Sequence, residues 1–122
     1  MQGKPATSFK DLIVWQKSHA LALKVYRVSS QYPKSELYGL VSQMRRAAVS
    51  VPANIAEGFK RASRPDKARL LNVAQGSLEE LRYFLLLARD LDYENDPAVT
   101  RDLDEVARLL DAYRSRIVSS AP

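Results

Sequence analysis

The chain has 122 residues, 27% charged and 46% hydrophobic, with no cysteine and a formal net charge of +5. That length suits one domain over 1–122, large enough to bury a core without staples. Disulfides, thiol catalysis and cysteine metal sites are excluded, no apolar run reaches the ~18 residues of a membrane helix, and MQGKPATS is no secretory signal, so a soluble, cytoplasmic protein is expected.

Helix signals recur four times, whereas no alternating run of strand formers stands between turn dipeptides. The first helix is predicted over about 9–31. Ser8 is its cap, Asp11 lies three residues on, and Tyr32-Pro33 ends it. The second spans about 36–62, with Glu36 at the positive end of the helix dipole. At its centre stands SQMRRAAVSVPANIAEGFKR, with no charge between Arg46 and Glu57 and with Pro52 in the middle. Proline removes one donor and leaves the carbonyl of Ala48 without its usual partner. A kink near Pro52 follows, with a nearby Ser or Asn as substitute donor. The third helix covers about 64–92, capped by Ser63 and carrying Pro65 in its first turn, where N–H groups have no helical partner. Asp96-Pro97 opens the fourth, over about 97–118. MQGKPA and SSAP are expected to fray.

Short connections make consecutive helices neighbours, so the expected fold is all-α, an antiparallel up-down-up-down four-helix bundle. The fourth helix has a narrow seam of Val99, Leu103, Val106, Leu110, Tyr113 and Ile117. The third has Leu70, Ala74, Leu78, Leu81, Leu85 and Ala88, widened by Phe84 and Leu91. The first two helices carry more apolar surface than the stripe of somewhat over ~100° that a bundle helix needs. On the second, Leu37, Leu40, Val41, Met44, Ala48, Val51 and Ile55 form one face. Val49, Ala53 and Ala56 form another. With Trp15 on the first helix, this second face is the expected interface of a homo-oligomer.

Between the two faces runs a polar line of Gln43, Arg46, Ser50, Asn54 and Glu57. Paired with Ser77 and Glu80 of the third helix, it is expected to form a hydrogen-bonded network that fixes register, tied by Arg46–Glu80 or Arg46–Glu57. Gly39, Gly58 and Gly76 fall inside helical patterns, where close helix approach would offset the cost of each. The polar set also invites comparison with a general-base site, but no nucleophile–base pair accompanies it. With His19 the only histidine, no bundle di-iron site can form, and no phosphate loop is present. No catalytic residue, metal or cofactor is assigned.

The charge is uneven. Residues 1–62 hold ten Lys/Arg against three Asp/Glu, a net +7; residues 63–122 hold nine against eleven, a net −2. Lys10, Lys17 and Lys24 recur every seven residues with Arg27 close by, and so share one stripe of the first helix. Lys60, Arg61, Arg64, Lys67 and Arg69 cluster around the turn between the second and third helices. Clustered Lys/Arg is the electrostatic footprint of nucleic-acid binding, although a solvated face gives the same pattern. Trp15, Tyr26, Tyr83 and Phe84 sit at helical spacing, as core or interface residues rather than stacking platforms.

DLIVWQKSHALALKVY, YPKSELYGLVSQMRRAAVSVPANIAEGFKRAS and LLNVAQGSLEELRYFLLLARDLDY resemble the 23S rRNA intervening-sequence protein family over about residues 9–93. The family is similar to the accessory variability protein of diversity-generating retroelements. The resemblance implies an antiparallel four-helix bundle assembled as a ring-like homopentamer, without enzymatic activity. It also implies nucleic-acid binding, RNA or DNA, through basic surface, and makes a reverse transcriptase a candidate partner. In such a ring, copies of the Lys60–Arg69 cluster would crowd one rim. Family members often carry a basic residue where Gln75 stands and Phe where Leu70 stands. A protein-interaction scaffold with no nucleic-acid role is the alternative.

Overall fold

The computed structural model describes residues 5–119, and the ends expected to fray lie largely outside them. The fold is a four-helix bundle without strands among the described residues: α1 (Ile13–Ser29), α2 (Ser42–Lys60), α3 (Arg64–Asp90) and α4 (Pro97–Ser119). Contacts between neighbouring helices run in opposite numerical order. Lys17 meets Glu105 and Lys24 meets Asp102. Likewise Arg82 meets Asp104, while Arg114 reaches Ala68.

The local signals act mostly where expected, with two shifts. Ser8 and Asp11 do form a capping box, but it closes a 3-10 turn, Phe9–Asp11. Leu12 is then extended (φ −79°, ψ 125°), and α1 starts only at Ile13. The stretch expected to open the second helix is likewise irregular. Lys34–Glu36 is a 3-10 turn and Leu37–Val41 a π-helical turn, with Gly39 outside helical geometry (φ −113°, ψ −109°). α2 then continues from Ser42 through Pro52 to Lys60. Ser63 caps α3 by accepting from the Asp66 N–H at 3.2 Å, and Asp96 accepts from the Ala98 N–H at 2.9 Å as α4 begins.

α3 ends in a Schellman motif. The Tyr93 N–H donates to the Ala88 carbonyl at 2.8 Å and the Asp92 N–H to that of Arg89 at 3.0 Å. Asp92 supplies the left-handed residue, with φ 62°.

The core follows the 3.6-residue pattern. Every seam residue of α3 from Leu70 to Ala88 is buried, and so are Val99, Leu103, Val106 and Leu110 of α4. Tyr113 and Ile117 pack against this core from its margin. On α2 the first apolar face is buried, apart from Leu37, which lies in the π turn. Val14, Leu21, Ala22 and Val25 bury one side of α1, whereas Leu23 and Tyr26 stay exposed. The structure also buries Leu71, Ser18 and Ser29, which the sequence pattern does not single out. Ser18 and Ser29 are tolerated there because each hydroxyl donates to a carbonyl one turn back, Trp15 and Tyr26 respectively.

Candidate nucleic-acid interface

α2 and α3 form the most extensive helix contact in the bundle. At its centre the Ser50 and Ser77 hydroxyls share a hydrogen bond of 2.7 Å. The Asn54 amide donates to the Ser50 carbonyl at 2.8 Å and to its hydroxyl at 3.0 Å. Asn54 therefore serves Ser50, not the carbonyl of Ala48 that Pro52 leaves without its helical donor. The rest of the anticipated network does not close within one chain. Gln43, Arg46, Glu57 and Glu80 lie exposed. Glu57 pairs with Arg61 on the next turn of its own helix, which leaves no Arg46–Glu57 tie. Arg46–Glu80 is likewise absent from the ion pairs of the described residues. The physical reason is the width of the polar line: only its Ser50–Asn54 segment turns toward α3.

The glycines divide in the same way. Gly58 is buried, and a Cβ there would stand 3.5 Å from Leu70 Cβ, so α2 and α3 do approach closely. Gly76 is exposed, and a Cβ added to it meets nothing within 4 Å. No contact inside the chain accounts for it.

The second apolar face of α2 remains uncovered. Val49 is 44% exposed, Ala53 is exposed and Ala56 half-buried. On α3, Val73 and Tyr83 are exposed too, at 45% and 57%. On the α1 side, Val49 and Pro52 border an apolar groove with His19, Ala22, Leu23 and Tyr26. Trp15, the fourth residue of the expected interface, has neighbours within its own chain. It is half-buried, edge-on to Phe9 and stacked on His19, with ring centroids 4.9 Å apart in each case.

The basic residues separate by their partners. The α1 stripe is largely an inter-helix seam, because Lys17 faces Glu105 at 3.7 Å and Lys24 bonds Asp102. Arg27 sits exposed at its end, whereas Lys10, also exposed, lies off the stripe on the 3-10 turn that precedes α1. In the second cluster, Arg61 pairs with Glu57 and Arg69 with Asp66 at 3.2 Å. Lys67 donates to the carbonyls of Phe59 (2.7 Å) and Gly58 (3.4 Å), closing the C-terminus of α2 as a basic residue there should. Lys60 and Arg64 have no acidic partner among the described residues. Sequence reasoning could count these charges but not pair them, since the α1–α4 partners lie about eighty positions apart.

It also missed a polar lock at one end of the bundle. Tyr32, 5% exposed, donates to Glu94 Oε1 at 2.7 Å, and Glu94 Oε2 accepts from the Asp96 N–H at 2.9 Å. Tyr93 donates to Glu36 Oε2 at 3.0 Å. Burial and then Glu94 drive the Tyr32 phenol far above its ordinary pKa; the Glu36 hydrogen bond raises that of Tyr93. Only their position in the two loops, Tyr32 before Pro33 and Glu94 before Asp96-Pro97, hints at this role. Arg45 was also missed: it donates to Ser29 Oγ and the Tyr26 carbonyl and lies 4.7 Å over the Tyr26 ring. The described residues hold no cluster of metal-ligating side chains and no helix long and apolar enough to cross a membrane.

The chain is similar to known proteins in sequence and in fold. The family model for 23S rRNA-intervening sequence protein matches residues 10–112. A crystal structure of a protein of unknown function from the S23 ribosomal protein family of Bacteroides thetaiotaomicron superposes with a TM-score of 0.78 at 25% identity. The match covers 87% of this chain and 98% of that one. No curated protein matches.

Proposed function

From the chain's membership of the 23S rRNA-intervening sequence protein family, we propose that it is a non-enzymatic, homo-oligomeric helical scaffold that binds nucleic acid through basic surface. The apolar residues left open on α2 (Val49 and Ala53) and on α3 (Val73 and Tyr83) support assembly and carry the scaffold reading. A ring, with five copies as the family resemblance implies, would multiply each copy's basic residues on one rim and raise affinity through multivalency. The binding would be phosphate-directed, to RNA or DNA, in the cytoplasm. The resemblance to retroelement accessory proteins makes a reverse transcriptase the protein partner to test.

Anisotropy titration of labelled RNA and DNA at low and near-physiological salt tests this reading. Binding that weakens steeply with salt is expected, the slope reporting the number of phosphates engaged. Absent or salt-insensitive binding would overturn it. One observation favours the alternative, a scaffold for proteins only: Lys17, Lys24, Arg61 and Arg69 are already engaged with acidic side chains. A stoichiometric protein partner that survives nuclease treatment would support that alternative.

A further inference from the structure

Resting on the nucleic-acid reading, we propose that the phosphate backbone of a nucleic-acid duplex seats on one end of the bundle, with Lys60 and Arg64 as its principal contacts. This end gathers the first turn, the α2–α3 turn and the end of α4. Thr7, Ser8 and Phe9 border a groove with Ala56, Phe59 and Lys60. Arg64 and Ala68 border another with Ile117 and Val118. Arg114 joins them, its Nε donating to the Ala68 carbonyl at 3.1 Å. Residues from both halves of the sequence thus build one basic surface, and Lys10 stands beside it on the first turn.

The opposite end holds more carboxylates, interspersed with Lys34 and Arg89. Asp90, Asp92, Glu94 and Asp96 follow one another where α3 gives way to α4, and Glu36 reaches the same place through Tyr93. The charge of the chain is therefore separated along the bundle axis, which would orient a polyanion end-on.

Partnering selects among the basic residues. An ion-paired lysine must give up its carboxylate before it gains a phosphate, so Lys17, Lys24, Arg61 and Arg69 start at a disadvantage. Lys67 is held by the last carbonyls of α2. Lys60 and Arg64 have no such competitor among the described residues. The most exposed aromatic residues, Tyr26, Tyr38 and Tyr83, lie away from this end, and the rings that border its groove, Phe9 and Phe59, are half-buried. That limits stacking by unpaired bases and favours a duplex over a single strand.

The test is anisotropy of a labelled RNA duplex of about 20 base pairs, on the scale that double-strand readers span. Wild-type protein is compared with Lys60→Gln/Arg64→Gln and with Lys17→Gln/Lys24→Gln. The first double variant should lose at least about tenfold in affinity and lower the log–log salt slope by about two. It should keep the wild-type circular dichroism and assembled mass, since neither side chain has an acidic partner. The second should stay within about threefold in affinity, its charges being committed to α4. Wild-type binding that survives Lys60→Gln/Arg64→Gln would overturn the assignment of this end while leaving the nucleic-acid reading in place. Comparable binding to duplex DNA of the same sequence would support phosphate-directed contacts, and tighter binding to single-stranded RNA would overturn the duplex assignment. No wild-type binding to any of the three would remove the reading itself.

Discussion

The Tyr32 hydroxyl lies 2.7 Å from Glu94 Oε1, joining the α1–α2 connection to the α3–α4 connection inside one end of the bundle. Both residues are buried, at 5% and 7% exposure. Tyr32→Phe would strip one carboxylate oxygen of its donor where water cannot readily replace it. A loss of about 1–3 kcal/mol is expected in urea unfolding.

The same pair sets the response to alkali. Burial raises the pKa of Tyr32 and Tyr113, and the Glu36 hydrogen bond raises that of Tyr93. Folding therefore favours the neutral phenols. Their contribution is complete below the ordinary tyrosine value of about 10 and falls as pH rises past it. Urea midpoints should drop above about pH 10, and Tyr32→Phe should flatten that drop. An identical alkaline limb in the variant would show that Tyr32 is not responsible.

Asp92 holds a left-handed φ of 62° at the end of α3, the position that helix endings most often give to glycine. It aims Tyr93 at Glu36 and Glu94 at Tyr32. Asp92→Gly should relieve the Cβ conflict and, net of the greater freedom of the unfolded chain, stabilise the fold by roughly 0.5–1 kcal/mol. A raised melting temperature checks it.

Gly76 offers a sharper test of assembly. With nothing within 4 Å of an added Cβ, Gly76→Ala should stabilise the isolated subunit by up to about 1 kcal/mol through helix propensity. If copies approach one another over this face, the same methyl should lower the assembled mass in light scattering. A stabilised subunit with unchanged mass would place the interface elsewhere.

Ala53→Glu puts a carboxylate on the uncovered α2 face, where it has solvent in the single chain but not in a buried contact. The subunit's melting temperature should shift by less than ~0.5 kcal/mol equivalent, as for other surface changes. The assembled mass should fall. Unchanged mass would defeat the interface on Val49 and Ala53.

The seams of α3 and α4 were legible because burial of a helix stripe imposes the 3.6-residue period directly on sequence. The caps at Ser63 and Asp96 were legible because they act within three residues. The opening of α2 was not: the LYGLV segment has helical composition, and its π turn with the non-helical Gly39 is a matter of backbone geometry. Lys17 and Lys24 do share a face of α1, with Lys10 left on the 3-10 turn before it, but whether that face meets water or acids depends on which helix lies beside it. Glu105 and Asp102 gave no local sign that they were the partners.

The sequence by itself determined the helical class, the number of helices, their caps and the apolar stripes that build the core, since these follow from periodicity and from hydrogen bonds between near neighbours. Only the tertiary structure decided which charges are neutralised, which part of the polar line of α2 reaches α3, and which apolar faces stay open. Those outcomes depend on pairings between residues tens of positions apart, and electrostatics and packing act through space, where chain order carries no distance.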